Sequence, residues 1–385
     1  LADGKTRVDI PIEIHNNLII VPVILNNQLP LKFIVDTGVR TTILTEKIYS
    51  DILRLTYAKK FTITAPGGEN LVNAYITNNV TIDMPGVHGR GHAMLVLETD
   101  YLELRSSLGS EVHGILGYEL FSRFAIKIDY DAKILTLIVP QKFRPPKKYA
   151  RLPITVEDTK PYYVAELKVN DTTSMSAKLM IDTGASHGLF LDTESSKKIV
   201  VPAKNIDCSI GKGLAGIITG KLGRISCLRI GNYSIPNMIA SFPDKASYFD
   251  TLRADHTVYR NGSLGGEVLS RFDVIFDFPS EKIYLKPNAS FRKKSYYNMS
   301  GLLVKAVGER LREYEVIEVR KNSPAQRAGI EVGDKIITIN DNLAKDLDLS
   351  QINGYFDTRP GKRIKINLQR NFKYIKTEFL LVNEI

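Results

Sequence analysis

An internal repeat constrains this chain more than anything else in it. The stretch Leu31-Lys32-Phe33-Ile34-Val35-Asp36-Thr37-Gly38 returns 146 residues later as Ala177-Lys178-Leu179-Met180-Ile181-Asp182-Thr183-Gly184. A second pair follows in the same order, residues 114–130 and 262–278, identical at eight of seventeen positions. Unrelated segments would agree at about one, so the chain holds two copies of one folding unit. Each copy is a series of short Ile- and Val-rich runs, such as 18–25, 61–64, 93–97 and 125–129, punctuated by Gly, Pro and Asn. That pattern predicts strands and few helices. Short helices are expected at 117–123 and 265–271, each followed by a pair of strands. Between the copies, the prolines and charges of 141–148 read as an extended, exposed connector. After Pro287 the repeat stops, and a different pattern starts at Met299. The expected division is 1–143, 144–290 and 298–385, in keeping with a length of 385 residues.

Composition matters for what it excludes. With 43% hydrophobic and 24% charged residues, the chain is neither collagen-like, low-complexity nor wholly disordered. No apolar run reaches the length of roughly 18 residues needed to cross a membrane, so no integral span is expected. The net charge of +10 raises the question of nucleic acid. The excess is dispersed, with short clusters at 142–148, 292–294 and 359–370 and no basic stripe interleaved with aromatics, so no nucleic-acid partner is expected. The two cysteines, Cys208 and Cys227, lie on segments that read as strands folded back on each other; a cross-hairpin disulfide and two buried thiols both fit. Without a Cys/His cluster at ligand spacing, no metal or other cofactor is expected. The start at Leu1 reads as a processed N-terminus after removal of a signal peptide, hence a periplasmic or secreted compartment.

The chemistry lies in the repeated Asp-Thr-Gly. A carboxylate ending a buried strand is costly unless it is hydrogen-bonded or used, and here two occupy equivalent positions. Packing of the copies about a pseudo-twofold axis would bring Asp36 and Asp182 together. Two like charges about 3 Å apart cannot both ionise, so the pair would share a proton. One carboxylate would then activate water as a base while the other protonates a substrate carbonyl. Gly38 and Gly184 allow a tight turn with backbone N–H groups aimed at the carboxylates. The Thr37 and Thr183 hydroxyls are placed to lock one turn to the other.

With these motifs, residues 8–288 resemble the aspartic proteases, nearer the retropepsin-like side than pepsin. The family carries Asp-Thr-Gly in each lobe, matched at 36–38 and 182–184, and apolar-apolar-Gly before a short helix, matched at 115–117 and 263–265 with Ser263 departing at the first apolar position. The resemblance implies a mainly β fold with two homologous β-barrel lobes, and an aspartic-type endopeptidase, a peptide hydrolase. Asp36 and Asp182 would be catalytic, supported by Thr37, Gly38, Thr183 and Gly184, and the substrate a peptide or unfolded protein. The duplication supplies both halves of the site, so a monomer suffices. Hairpin flaps are implied over the substrate, with Gly67 and Gly68 in the turn at 65–68, and Gly213 and Gly216 in the more glycine-rich stretch 211–220. That stretch also spells Gly-x-Gly-x-x-Gly, but no helix is expected after it and no acidic residue lies about 20 residues on, which argues against a dinucleotide. Arg40 and His187 fall where the family meets substrate main chain and are candidate substrate contacts. Val39 and Ala185 stand where pepsin-like enzymes place Ser or Thr. The ionised carboxylate thereby lacks a donor, which favours work at about pH 5–7 over about pH 2–3.

Residues 299–385 resemble a PDZ domain, an α+β module. Ser300, Gly301, Leu302 and Leu303 match its carboxylate-binding loop and following strand. Ser323-Pro324-Ala325, Gly329-Ile330 and Gly333-Asp334-Lys335-Ile336 match its helix-then-strand signature. The implied partner is a C-terminal peptide, its carboxylate held by loop N–H groups while it adds as a strand. A protease joined to a PDZ domain resembles bacterial envelope proteases, in line with a periplasmic or secreted setting. Proteolysis with PDZ-mediated peptide binding or regulation is therefore the leading reading. A non-catalytic peptide-binding scaffold using the cleft and the PDZ groove is the alternative, and the intact Asp and Gly of both motifs favour the enzyme.

Overall fold

The computed structural model describes residues 1, 4–63, 71–245 and 258–385. It is mainly β, as the strand-like periodicity predicts. Leu1–Leu102, Val112–Ala203 and Ser209–Lys293 form one compact unit; Glu103–Glu111, Lys204–Cys208 and Lys294–Ile385 form a second.

In the first unit each repeat builds an eight-stranded sheet, and the two sheets have the same order. The first runs Glu13–His15, Leu18–Leu25, Leu29–Val35, Gly114–Leu116, Ile43–Leu44, Val87–Leu97, Val72–Met84, Tyr57–Ile63. The second runs Thr155–Glu157, Lys160–Lys168, Ser174–Ile181, Gly262–Leu264, Leu189–Leu191, Tyr233–Pro243, Gly216–Ile230, Asn205–Gly213. Each sheet curls onto itself, since Leu18–Leu25 also pairs with Val72–Met84, and Lys160–Lys168 with Gly216–Ile230. The strand that ends in Asp-Thr-Gly lies parallel to the apolar-apolar-Gly strand in both, Phe33 opposite Gly114 and Leu179 opposite Gly262. Buried on both faces, these strands read as near-continuous apolar runs, as parallel neighbours in a covered sheet must.

A third, six-stranded sheet joins the copies. Its order is Arg7–Pro11, Ile134–Ile138, Ala125–Asp129, Phe272–Asp277, Lys282–Pro287, Ala150–Pro153, each copy contributing three strands in mirrored sequence. The seam is the antiparallel pairing of Ile126 with Phe276 and Ile128 with Val274. Phe121, from the short helix Tyr118–Arg123 of the first copy, packs against Phe276 and Phe278 of the second with ring centroids 5.5 and 5.1 Å apart. The connector 141–148 is exposed as expected at every residue but one: Phe143 is 7% exposed and lies edge-on to Tyr284. The apolar ring finds a hydrophobic seat that a reading by Pro and charge overlooks.

The second unit is a sheet ordered Leu302–Val307, Glu313–Val319, Lys335–Ile339, Arg363–Arg370, Lys373–Leu380, with Leu302–Val307 on its edge. Ser323 caps the helix Pro324–Arg327 by accepting from Gln326 N at 3.2 Å, with Pro324 in the first turn. Asp348 and Gln351 form a capping box on Leu349–Phe356, whose buried Leu349, Ile352 and Phe356 share one face. Asp334 is fully buried, and Arg370 holds both its oxygens at 2.6 and 2.8 Å, so its charge is compensated. Among the described residues no helix is long and apolar enough to cross a membrane.

Candidate active site

The two Asp-Thr-Gly turns meet in the first unit, and threonines hold them together. Thr37 N donates to Thr183 Oγ1 and Thr183 N to Thr37 Oγ1, each at 3.0 Å. Thr37 Oγ1 donates in turn to the Ile181 carbonyl at 2.7 Å, and Thr183 Oγ1 to the Val35 carbonyl at 2.8 Å. Both threonines are wholly buried. Every bond has a twin across the pseudo-twofold, and each hydroxyl is satisfied as acceptor and donor at once, which is what burial of a polar group demands.

Asp36 and Asp182 end their strands next to this lattice, their backbone N–H groups donating to Leu116 O and Leu264 O at 2.9 Å each. Gly38 N donates to Asp36 Oδ1 at 2.6 Å and Gly184 N to Asp182 Oδ1 at 3.0 Å. The turns need glycine because the carboxyls are so close. A methyl group at Gly184 would come within 2.1 Å of Asp36 Cγ, and one at Gly38 within 3.3 Å of Asp182 Oδ1. The carboxyls lie close enough for the charge of one to act on the other. Burial and then the Asp182 charge raise Asp36 well above the ordinary carboxylate range. Burial raises Asp182 too, opposed chiefly by the positive charge of Arg260 and by the Gly184 N–H. Burial therefore keeps a proton on the pair into a pH range in which ordinary carboxyls are ionised.

The apolar-apolar-Gly strands complete the frame. Gly117 passes so near Val39 that a methyl group there would sit 2.3 Å from the Val39 carbonyl oxygen; at Gly265 it would sit 2.2 Å from His187 O. The next residue clamps the turn: Tyr118 N donates to Val39 O at 2.8 Å, and Gly266 N to Ala185 O at 2.7 Å. Neither Val39 nor Ala185 carries a hydroxyl to offer the carboxylates.

The remaining candidates fare unevenly. Gly213 and Gly216 flank the turn of the hairpin Asn205–Gly213/Gly216–Ile230; Gly216 takes φ +145°, and Ala215 at the tip is 1% exposed. The corresponding hairpin of the first copy is Tyr57–Ile63/Val72–Met84, and Gly67 and Gly68 lie outside the described residues. Arg40 is exposed and reaches Asp158 at 3.5 Å. His187 does not present a charge: its Nε2 lies 3.1 Å from Ser263 Oγ, its ring packs on Phe190, and burial pushes it down to about 4. Its bond to Ser263 accounts for the departure at the first apolar position of the second copy. Cys208 and Cys227 are both free thiols, and burial pushes Cys208 up to about 11. Sequence reasoning missed Arg260 and Lys160, whose charges act on Asp182. Neither belongs to a motif. A cavity of about 240 Å³ lined by Thr42, His92, Glu119 and Arg123 includes neither aspartate.

In the second unit Ser300 and Gly301 form a loop before the edge strand that contains Leu302 and Leu303. Ser300 is fully buried, and Leu303 is 42% exposed. No curated protein matches the chain. Residues 21–120 match the family model described as aspartyl protease, a span that covers the first Asp-Thr-Gly, while the second copy repeats its motifs and strand order. With residues 291–381 matching the model of the PDZ domain, the chain carries an aspartyl protease domain in its first copy and a PDZ domain at its C-terminal end.

Proposed function

We propose that the chain is a single-chain aspartic endopeptidase whose lobes, 1–143 and 144–290, supply one aspartate each, followed by a PDZ domain over 298–385. The observation that carries this reading is the reciprocal Thr37/Thr183 lattice, which holds the two Asp-Thr-Gly turns, and with them the two carboxyls, against each other. Asp182, favoured as the ionised partner by Arg260, takes a proton from a water held between the carboxyls. The water oxygen attacks the scissile carbonyl carbon, and Asp36 gives its proton to the carbonyl oxygen, leaving a neutral tetrahedral diol. Proton transfer from Asp182 to the amide nitrogen and return of a diol proton to Asp36 break the C–N bond and restore the pair. The second-copy hairpin at 205–230 would cover the peptide and exclude water.

Both carboxyls are raised, so the one-proton state extends toward neutral pH, and cleavage should peak at about pH 5–7. The test is cleavage of unfolded casein from pH 3 to 8 by the chain, by Asp36→Asn and by Asp182→Asn, with and without pepstatin. Loss of cleavage by a factor of roughly 10³ or more in either variant is expected. A maximum below about pH 3.5 would remove the argument from the missing hydroxyls. Absence of cleavage at every pH would return the chain to the peptide-binding reading.

A further inference from the structure

The PDZ unit gathers a piece of chain from far upstream. Between Leu102 and Val112 the backbone leaves the protease unit, and Glu103–Glu111 belongs to the compact unit of residues 294–385. Its short helix Leu104–Leu108 packs along the edge strand Leu302–Val307, and that strand also borders the helix Leu349–Phe356. These two elements are the walls between which a PDZ-type fold takes a peptide. Gly109, at φ +62°, sits between them: a methyl group there would lie 2.7 Å from Leu349 Cβ and 3.5 Å from Ala306 Cβ. Leu108 before it and Ser110 after it are 6% and 8% exposed.

The other end of the groove is closed from within. Asn298 Oδ1 accepts from Ser300 N at 3.1 Å, from Gly301 N at 3.2 Å and from Ser300 Oγ at 2.6 Å. Ser300 Oγ accepts from Leu302 N at 3.0 Å. The three N–H groups of the loop that would hold a terminal carboxylate already have acceptors, and a side-chain amide oxygen sits where that anion would be expected. An incoming carboxylate would have to break these bonds and leave Asn298 to find new partners, a loss that its own bonds would only replace. Leu302, Val304, Ala306, Leu349, Ile352 and Phe356 are each no more than 4% exposed, so these side chains offer almost no surface to a terminal side chain.

We propose that this PDZ groove is an intramolecular socket whose resident ligand is the chain's own Glu103–Glu111, docked as an internal segment, and that it is not a receptor for free C-terminal peptides. Peptide recognition is thereby turned inward: the groove anchors the loop that leads into the strand Gly114–Leu116. The inference stands apart from the proposed protease activity and is tested without reading it.

The experiment uses the full-length chain carrying Asp36→Asn, so that no probe is cleaved. Two fluorescein-labelled peptides are titrated by fluorescence polarisation: the nine-residue sequence of Glu103–Glu111 capped at both ends, and a decapeptide ending in a free valine carboxylate. The parent chain is expected to bind neither. With Leu108→Asp, which expels the tethered segment, the first probe should bind at least about tenfold more tightly than to the parent chain, because an intramolecular competitor at an effective concentration near mM has been removed. Binding of the valine-ended peptide by the parent chain, abolished when its carboxylate is amidated, would overturn the proposal. Failure of the segment peptide to bind the Leu108→Asp chain, folded by circular dichroism, would do the same. Should that variant not fold, hydrogen exchange on the parent chain decides: amides of 107–109 should exchange with the slow rates of 302–307, and free exchange at 107–109 would sink the idea.

Discussion

Asp36 and Asp182 occupy equivalent positions in a near-symmetric frame, yet their surroundings differ by one guanidinium. Arg260 draws Asp182 toward ionisation and has no such effect on Asp36 among the leading causes of its shift. Replacing Arg260 by Met should move the acidic limb of the pH–rate profile upward, since Asp182 then ionises less readily; an unmoved limb would mean the cation plays no part. The same pair sets a stability trend. A carboxyl raised in the folded state binds its proton more tightly there than in the unfolded chain. Its stabilisation is present below the ordinary carboxyl range and is lost as pH climbs through the raised value. Asp36→Asn, which does not titrate, escapes that loss. Its Tm should exceed that of the parent chain by about 2–4 °C at pH 7, with a smaller margin at pH 4, as calorimetry would read. The threonine lattice behaves oppositely. Thr37→Val removes two bonds and leaves the buried Thr183 N without its acceptor, so about 1–3 kcal/mol of stability should be lost, measured by denaturant midpoint, along with most of the cleavage activity.

At the scale of elements, the turns and the strands beside them specify each other through glycine. Gly117→Ala and Gly265→Ala each drive a methyl group against a backbone carbonyl that cannot step aside. Either should cost about 3 kcal/mol or more, or prevent soluble expression, whereas Gly211→Ala, with open space around it, should be nearly neutral. Much of this site was legible in the sequence because its chemistry is packed into contiguous words: Asp-Thr-Gly, apolar-apolar-Gly, and their recurrence. Strand character was legible too, from short Ile- and Val-rich runs punctuated by Gly, Pro and Asn. Arg260 and Lys160 were not, since a single cation on an ordinary strand or loop carries no spacing that announces which carboxylate it will face. The orientation of His187 toward Ser263 and Phe190 was not legible, because proximity in sequence to a catalytic word says nothing of which way a ring turns. The loop Ser300-Gly301 was read by its likeness to a carboxylate cradle, and Asn298, two residues earlier, fills it.

Across the whole molecule, the proposed enzyme carries both aspartates on one chain and would not depend on assembly. Specific activity should stay constant on dilution from micromolar to low nanomolar protein, where an enzyme built from two separate halves would dissociate and fade. The seam of the six-stranded sheet, Ile126 to Ile128 against Val274 to Phe276, is long-range in sequence and forms only when both copies are present. The second unit imposes a still longer delay. Glu103–Glu111 is synthesised well before Lys294–Ile385, the part of the chain against which it packs. At about 5–20 residues per second the interval is roughly 10–40 s. During that time Leu108 has no socket, and the first copy must fold around a loop whose final seat has not yet left the ribosome. If the groove takes Glu103–Glu111 as proposed, a domain made later closes over a segment made earlier that has been waiting for it.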